Sequence, residues 1–118
     1  MVSRDRALHE LTPPPINNQW LVMDTGSVQV IKAVATQGRG DTSPFQWVTS
    51  YKVSVSNNNS NWTPVDAGVT FTGNVGGGDP VVKNNFAAAV TARYVRIEPV
   101  TWVDFIAMRA GVYIQKCS

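Results

Sequence analysis

Apolar and polar residues alternate with a period of two along much of this chain. Tyr51-Lys52-Val53-Ser54-Val55-Ser56 is the cleanest run, and Val95 and Ile97 alternate with Tyr94, Arg96 and Glu98. Such a period places every second side chain on one face of a strand, half buried and half wet. Residues 28–37 alternate more loosely. The pattern predicts strands over 20–24, 28–37, 51–56, 62–65, 69–71, 81–86, 93–98 and 108–114. Pro99 is expected to end the ladder before it, because proline has no N–H to donate. No long stretch carries helical period. The connections are rich in turn formers: Asn57-Asn58-Asn59-Ser60-Asn61 between two strands, and Gly76-Gly77-Gly78-Asp79-Pro80 before a third. These residues tolerate left-handed backbone or bond their own main chain. Many short strands joined by such turns imply an all-β, antiparallel sandwich or barrel. Residues 1–18 read differently. Leu11-Thr12-Pro13-Pro14-Pro15 favours an extended path, so 1–18 is expected to be a surface-lying lead-in and 19–118 the β domain.

Composition narrows the function classes. The chain has 118 residues, 43% of them hydrophobic and 15% charged, which fits one globular domain with a low-charge surface. Its net charge is +2, and its ten basic residues are scattered. A nucleic-acid partner is therefore not expected, since that footprint needs a clustered basic face. No apolar run reaches the length of a membrane span. Residues 1–10 are charged and lack the apolar stretch of a signal peptide. That leaves three settings open: an excerpt of a larger secreted protein, an added start codon, or the cytosol. Cys117 is the single cysteine, so it is a free thiol or half of a bridge to another chain.

Catalysis is not expected either. General acid–base work needs a tuned His or carboxylate, and the one histidine, His9, lies in the lead-in. The eight acidic residues are dispersed, with no calcium-loop or zinc spacing, so no metal and no cofactor is expected. Gly76-Gly77-Gly78 lacks the lysine that a phosphate-cradling loop requires.

Several segments together resemble the discoidin family, also called factor V/VIII type C domains. Gln19-Trp20-Leu21-Val22-Met23-Asp24-Thr25-Gly26 resembles the family's first core strand. Thr36-Gln37-Gly38-Arg39 is similar to its Thr-Gln-Gly turn, Trp47–Val53 and Asn61-Trp62-Thr63 to its next hairpin, and Phe71-Thr72-Gly73-Asn74 to its Phe-x-Gly-Asn element. The closing block, Ala92-Arg93-Tyr94-Val95-Arg96-Ile97-Glu98-Pro99-Val100-Thr101-Trp102 with Ile106-Ala107-Met108-Arg109, resembles the last strands. The matches run in register over residues 19–114. The resemblance implies an antiparallel jelly-roll β-sandwich of about eight strands, like a galactose-binding domain, that binds ligands and does no chemistry. It also marks departures. The family's opening strand is absent or shortened here. The family usually ties that strand to a C-terminal cysteine, whereas this chain has one cysteine, two residues late at 117. The resemblance thus implies stability lower by roughly 2–5 kcal/mol than in a bridged relative.

Family ligands sit on loops at one end of the sandwich, and the loop matching a binding spike is 38–47. Loops held on a rigid scaffold are common binding places. Three readings of it are open. Arg39 and Asp41 bind sugar hydroxyls while Phe45 or Trp47 stacks on an apolar sugar face. Phe45 and Trp47 insert among anionic phospholipid headgroups, a reading weakened by the charge of Asp41. Arg39-Gly40-Asp41 is an adhesion tripeptide. Trp47 and Phe45 also suit the core, with Arg39 paired to Asp41. Trp102 and Asp104 are expected on a second loop of the same rim, where Trp102 suits a plug of the sandwich end better than a ligand contact. Asp24 is expected to order the turn at Gly26, and Arg93, Arg96 and Arg109 to close ion pairs or lie over the sheet. Two glycosylation sequons, Asn58-Asn59-Ser60 and Asn61-Trp62-Thr63, share one hairpin turn. The expected function is extracellular recognition of a cell-surface glycan or adhesion protein. The alternatives are an anionic-phospholipid surface, or self-assembly into a homo-oligomer through the edge that a missing first strand leaves open.

Overall fold

The computed structural model describes residues 2–11, 20–37, 47–75, 81–103 and 108–115, the first stretch by its backbone alone. Seven strands follow one another: β1 (Val2–Leu11), β2 (Leu21–Gln37), β3 (Trp47–Ser56), β4 (Thr63–Pro64), β5 (Phe71–Thr72), β6 (Val82–Val103) and β7 (Met108–Gln115). They pair antiparallel in the order β1-β7-β2-β6-β3-β4, with β5 on β3.

β2 and β6 are long because each takes part in two layers. Leu21–Asp24 of β2 pairs with the part of β6 that also pairs with β3, whereas Gln29–Gln37 runs beside β7 and the start of β6. Bulges mark the change of layer. Four β2 residues, 25–28, stand where β6 has only Arg93, and residues 86–89 of β6 stand opposite Lys32. Extra residues in a ladder bend a strand and increase its twist.

Alternate residues from both layers meet in one apolar cluster. It includes Leu21, Met23, Ile31 and Val34 of β2, Val48, Tyr51 and Val53 of β3, Val95 and Ile97 of β6, and Met108, Val112 and Ile114 of β7. Tyr51, Phe71 and Phe86 form an aromatic row inside it, with ring centroids 5.8 and 5.9 Å apart. The apolar members of the period-two runs turn inward, as in Tyr51, Val53, Val55, Val95 and Ile97, but Ser54, Ser56 and residues 33–36 are buried as well, out of that period.

The antiparallel all-β expectation holds, and three details differ. Residues 2–11 form a strand on β7, with Val2 opposite Gln115 and Leu11 opposite Met108. The edge of β7 that was expected to lie open is therefore covered. Ladder pairing supplies what amphipathic patterning did not show, since Arg4-Asp5-Arg6 carries no alternation. Second, the runs 20–24 and 28–37 belong to one strand, β2, and the runs 81–86 and 93–98 to another, β6. Third, Pro99 does not end its ladder. It faces Tyr51, and the register slips between Tyr51 and Ser50, so that Thr101 is the next partner. A bulge is where a strand accepts a residue without an N–H.

Candidate functional site

The strand ends that flank residues 38–46, 76–80 and 104–107 stand at one end of the sandwich. Gln37 pairs with Arg109, Thr36 with Val82 and Trp47 with Val103. Leu11, opposite Met108, ends at the same level. The connections expected to carry recognition therefore start from one platform.

The base of that platform is polar and buried. Gly73 donates its N–H to the Thr49 carbonyl at 2.8 Å, and Asn74 to the Val48 carbonyl at 3.0 Å. This stitches the stretch after β5 along the start of β3. Thr36 Oγ1 donates to Asn74 Oδ1 at 3.0 Å. Asn84 Nδ2 donates to the Tyr51 hydroxyl at 2.9 Å and to the Thr72 carbonyl at 2.8 Å. Burial pushes the Tyr51 phenol above its ordinary pKa, and the side chains of Asn84 and Thr36 offset part of that shift.

Of the residues singled out from the sequence, Arg39, Asp41, Phe45 and Asp104 lie outside the described residues. Trp47 and Trp102 are described, on adjacent rungs of β3 and β6, Trp47 opposite Val103 and Trp102 opposite Val48, so their side chains leave opposite faces of the sheet and the structure does not bring them together. Trp102 is half buried and packs against the core, the plug that its sequence position allowed. Trp47 is half buried, and its Nε1 is enclosed with no hydrogen-bond partner among the described residues. A donor left so is costly unless an acceptor arrives. Valines are exposed at the same end: Val75 is 89% exposed, Val81 44% and Val103 37%. Sequence reasoning passed over Tyr51 and Asn84 as strand residues, and Thr36 was in view only as part of the Thr-Gln-Gly turn. Asn74 was in view only as part of the Phe-x-Gly-Asn element; its burial was the missing signal.

The opposite end is built for structure. The Asp24 carboxylate receives the Gly26 N–H at 2.8 Å, as expected, and is paired bidentately by Arg93 at 2.8 and 2.9 Å. The Arg93 hydrogen bond, then the Gly26 N–H, hold its pKa down at about 2. Arg96 lies over the sheet between two indoles, 4.4 Å from the Trp62 ring centre and 5.1 Å from that of Trp20. Asn58 Oδ1 organises the turn that carries both sequons, accepting from Ser56 Oγ at 2.9 Å, Ser60 N at 3.0 Å and Asn61 N at 2.9 Å. Since Ser56 pairs with Tyr94 and Tyr94 with Asp24, that turn lies at the far end from the connections above.

Known proteins match this architecture. A sequence profile of the F5/8 type C domain matches residues 7–112. Neuropilin-1a of Danio rerio is 36% identical over 107 residues, 86% of this chain but 12% of that protein. The native structure of recombinant discoidin II of Dictyostelium discoideum superposes with a TM-score of 0.80 at 30% identity, covering 98% of this chain and 47% of that one. A module called CpGH89CBM32-5 from Clostridium perfringens, solved with GalNAc-β-1,3-galactose, shares the fold at a TM-score of 0.63 and 18% identity, covering 88% of this chain and 67% of that one. This chain thus spans well under two thirds of the curated relatives it matches.

Proposed function

Since this chain belongs to the F5/8 type C domain family, the discoidin family, we propose that it is a non-catalytic recognition module that binds glycans at extracellular surfaces through the connections at one end of its sandwich. The observation that carries this reading is the convergence of strand ends: the residues flanking 38–46, 76–80 and 104–107 share one platform. Arg39, Asp41 and Asp104 are the hydrogen-bonding groups for sugar hydroxyls. Phe45 or Trp47 supplies a stacking face for an apolar sugar surface, and Trp102 plugs the sandwich end. The far end carries the Asp24–Arg93 ion pair and the sequon turn. The structural neighbour solved with GalNAc-β-1,3-galactose provides the first sugar to try.

A glycan array tests the reading. Arg39→Ala and Asp104→Ala are expected to weaken binding to any hit by roughly tenfold to a hundredfold, the worth of a hydrogen bond to a charged group. If both variants bound like the parent, the proposed site would be wrong.

A second reading, contact with an anionic phospholipid surface, is favoured by one observation. Val75, Val81 and Val103 are exposed at the same end, where apolar tips enter a headgroup layer. Co-sedimentation with vesicles, with and without phosphatidylserine, separates the two. Val75→Asp abolishes pelleting if the rim meets lipid and leaves sugar binding intact if it does not.

A further inference from the structure

Beneath the loop-bearing end lie polar side chains that an apolar core does not require. Thr36 is 1% exposed, Asn74 2% and Tyr51 0%. Thr36 belongs to the layer of β2 and β7, one residue before β2 ends and opposite Ala110. Asn74 belongs to the other layer, its N–H held by Val48 of β3. The 3.0 Å hydrogen bond between their side chains therefore ties one layer to the other. The bond from Asn84 to Tyr51, 2.9 Å long, joins the start of β6 to β3 close by.

Apolar packing tolerates several spacings of similar energy, whereas a hydrogen bond demands one distance and one direction. Replacing both partners of a buried pair by apolar groups of equal shape is often nearly neutral for stability, whereas removing one leaves the other unsatisfied, so such pairs are understood through the geometry they select. Here that geometry is the separation of the two layers at the end where Gln37, Val75 and Val82 stand. Away from the platform the buried Ser54 and Ser56 hydroxyls bond within their own layer and turn, to Glu98 Oε1 at 3.0 Å and to Asn58 Oδ1 at 2.9 Å.

We propose that Thr36, Asn74, Tyr51 and Asn84 are positioning residues for ligand recognition: they set the spacing of the two layers under the platform and so govern affinity without touching the ligand. The inference rests on the reading of this end as the glycan-binding one. Thr36 is the sharpest place to test it, because valine keeps its shape and serine keeps its hydroxyl.

The experiment pairs two measurements on the parent, Thr36→Val and Thr36→Ser. One is affinity for GalNAc-β-1,3-galactose and for the array hits. The other is amide hydrogen exchange at Gly73 and Asn74, with Val53 and Val95 as core references. In Thr36→Val, exchange at Gly73 and Asn74 is expected to quicken about tenfold with Val53 and Val95 unchanged, and affinity to fall about tenfold; Thr36→Ser restores both. Unchanged affinity in Thr36→Val overturns the inference. So does faster exchange spread equally over Val53 and Val95, which marks plain destabilisation. If the parent binds no glycan at all, the glycan reading falls by itself, and exchange at Gly73 and Asn74 then decides whether the tie positions this end.

Discussion

Two glycines show how much a single residue's surroundings decide. Gly26 has φ +89° with open space around it, so a side chain there meets backbone strain and nothing else. Gly26→Ala is expected to cost about 1–2 kcal/mol, the penalty for a left-handed L-residue. Gly73 sits at ordinary φ, but a Cβ built on it falls 2.5 Å from the Val48 carbonyl oxygen. Gly73→Ala must push β3 and the stretch after β5 apart, at about 1–3 kcal/mol. Urea unfolding measures both, and the two differ in where the damage shows. Chemical shifts should move around 24–27 for Gly26→Ala and around 48–50 and 74 for Gly73→Ala. The role of Asp24 at Gly26 was legible from the sequence because it is a local bond, two residues apart. The reason for glycine at 73 was not, because the obstructing atom lies 25 residues away in β3.

At the scale of strands, the pairing of β2 with β6 carries a pH dependence that can be assigned. Asp24 of β2 holds a proton less readily in the folded state, at about 2 against the ordinary 3.8. Its ionised form is therefore the one that stabilises the fold. That contribution is fully present above about pH 4 and is lost as pH falls through 2. Asp24→Asn is expected to flatten the acid limb of stability between pH 4 and 2, and added salt to weaken the parent's limb, since the pair is well exposed. An acid titration followed by tryptophan fluorescence checks this; equal slopes in parent and variant would refute it. Arg96 ties another set of elements. Its guanidinium lies between Trp20, just before β2, and Trp62, just before β4. Trp62→Ala removes the closer face and is expected to cost about 1–2 kcal/mol, with Trp20 fluorescence shifted by the loss of its ordered neighbour. The sequence located both tryptophans and the arginine within strand-like runs. It did not reveal that they meet, because that depends on the register of three separate segments.

For the molecule as a whole, stability comes from two layers closed on one core by long-range pairings. Such topologies fold in milliseconds to seconds, and refolding of this chain is expected in that range by stopped-flow fluorescence. With one cysteine, no bridge within the chain contributes, so a reducing agent should leave the thermal midpoint of the monomer unchanged. The sequence by itself determined most of the strand-forming runs, the alternating apolar positions that turn inward and the absence of helical period. Each of these follows from a side-chain alternation that is printed locally in the chain. The order of motifs also made the family legible. Tertiary structure alone decided the rest. It put residues 2–11 on β7, let the β6 ladder run past Pro99 through a bulge, gathered the strand ends around 38–46, 76–80 and 104–107 at one pole, and joined Thr36 to Asn74 beneath them. These depend on partners tens of residues apart, and which distant segments meet is fixed by the shared burial of one core, not by any stretch of sequence alone.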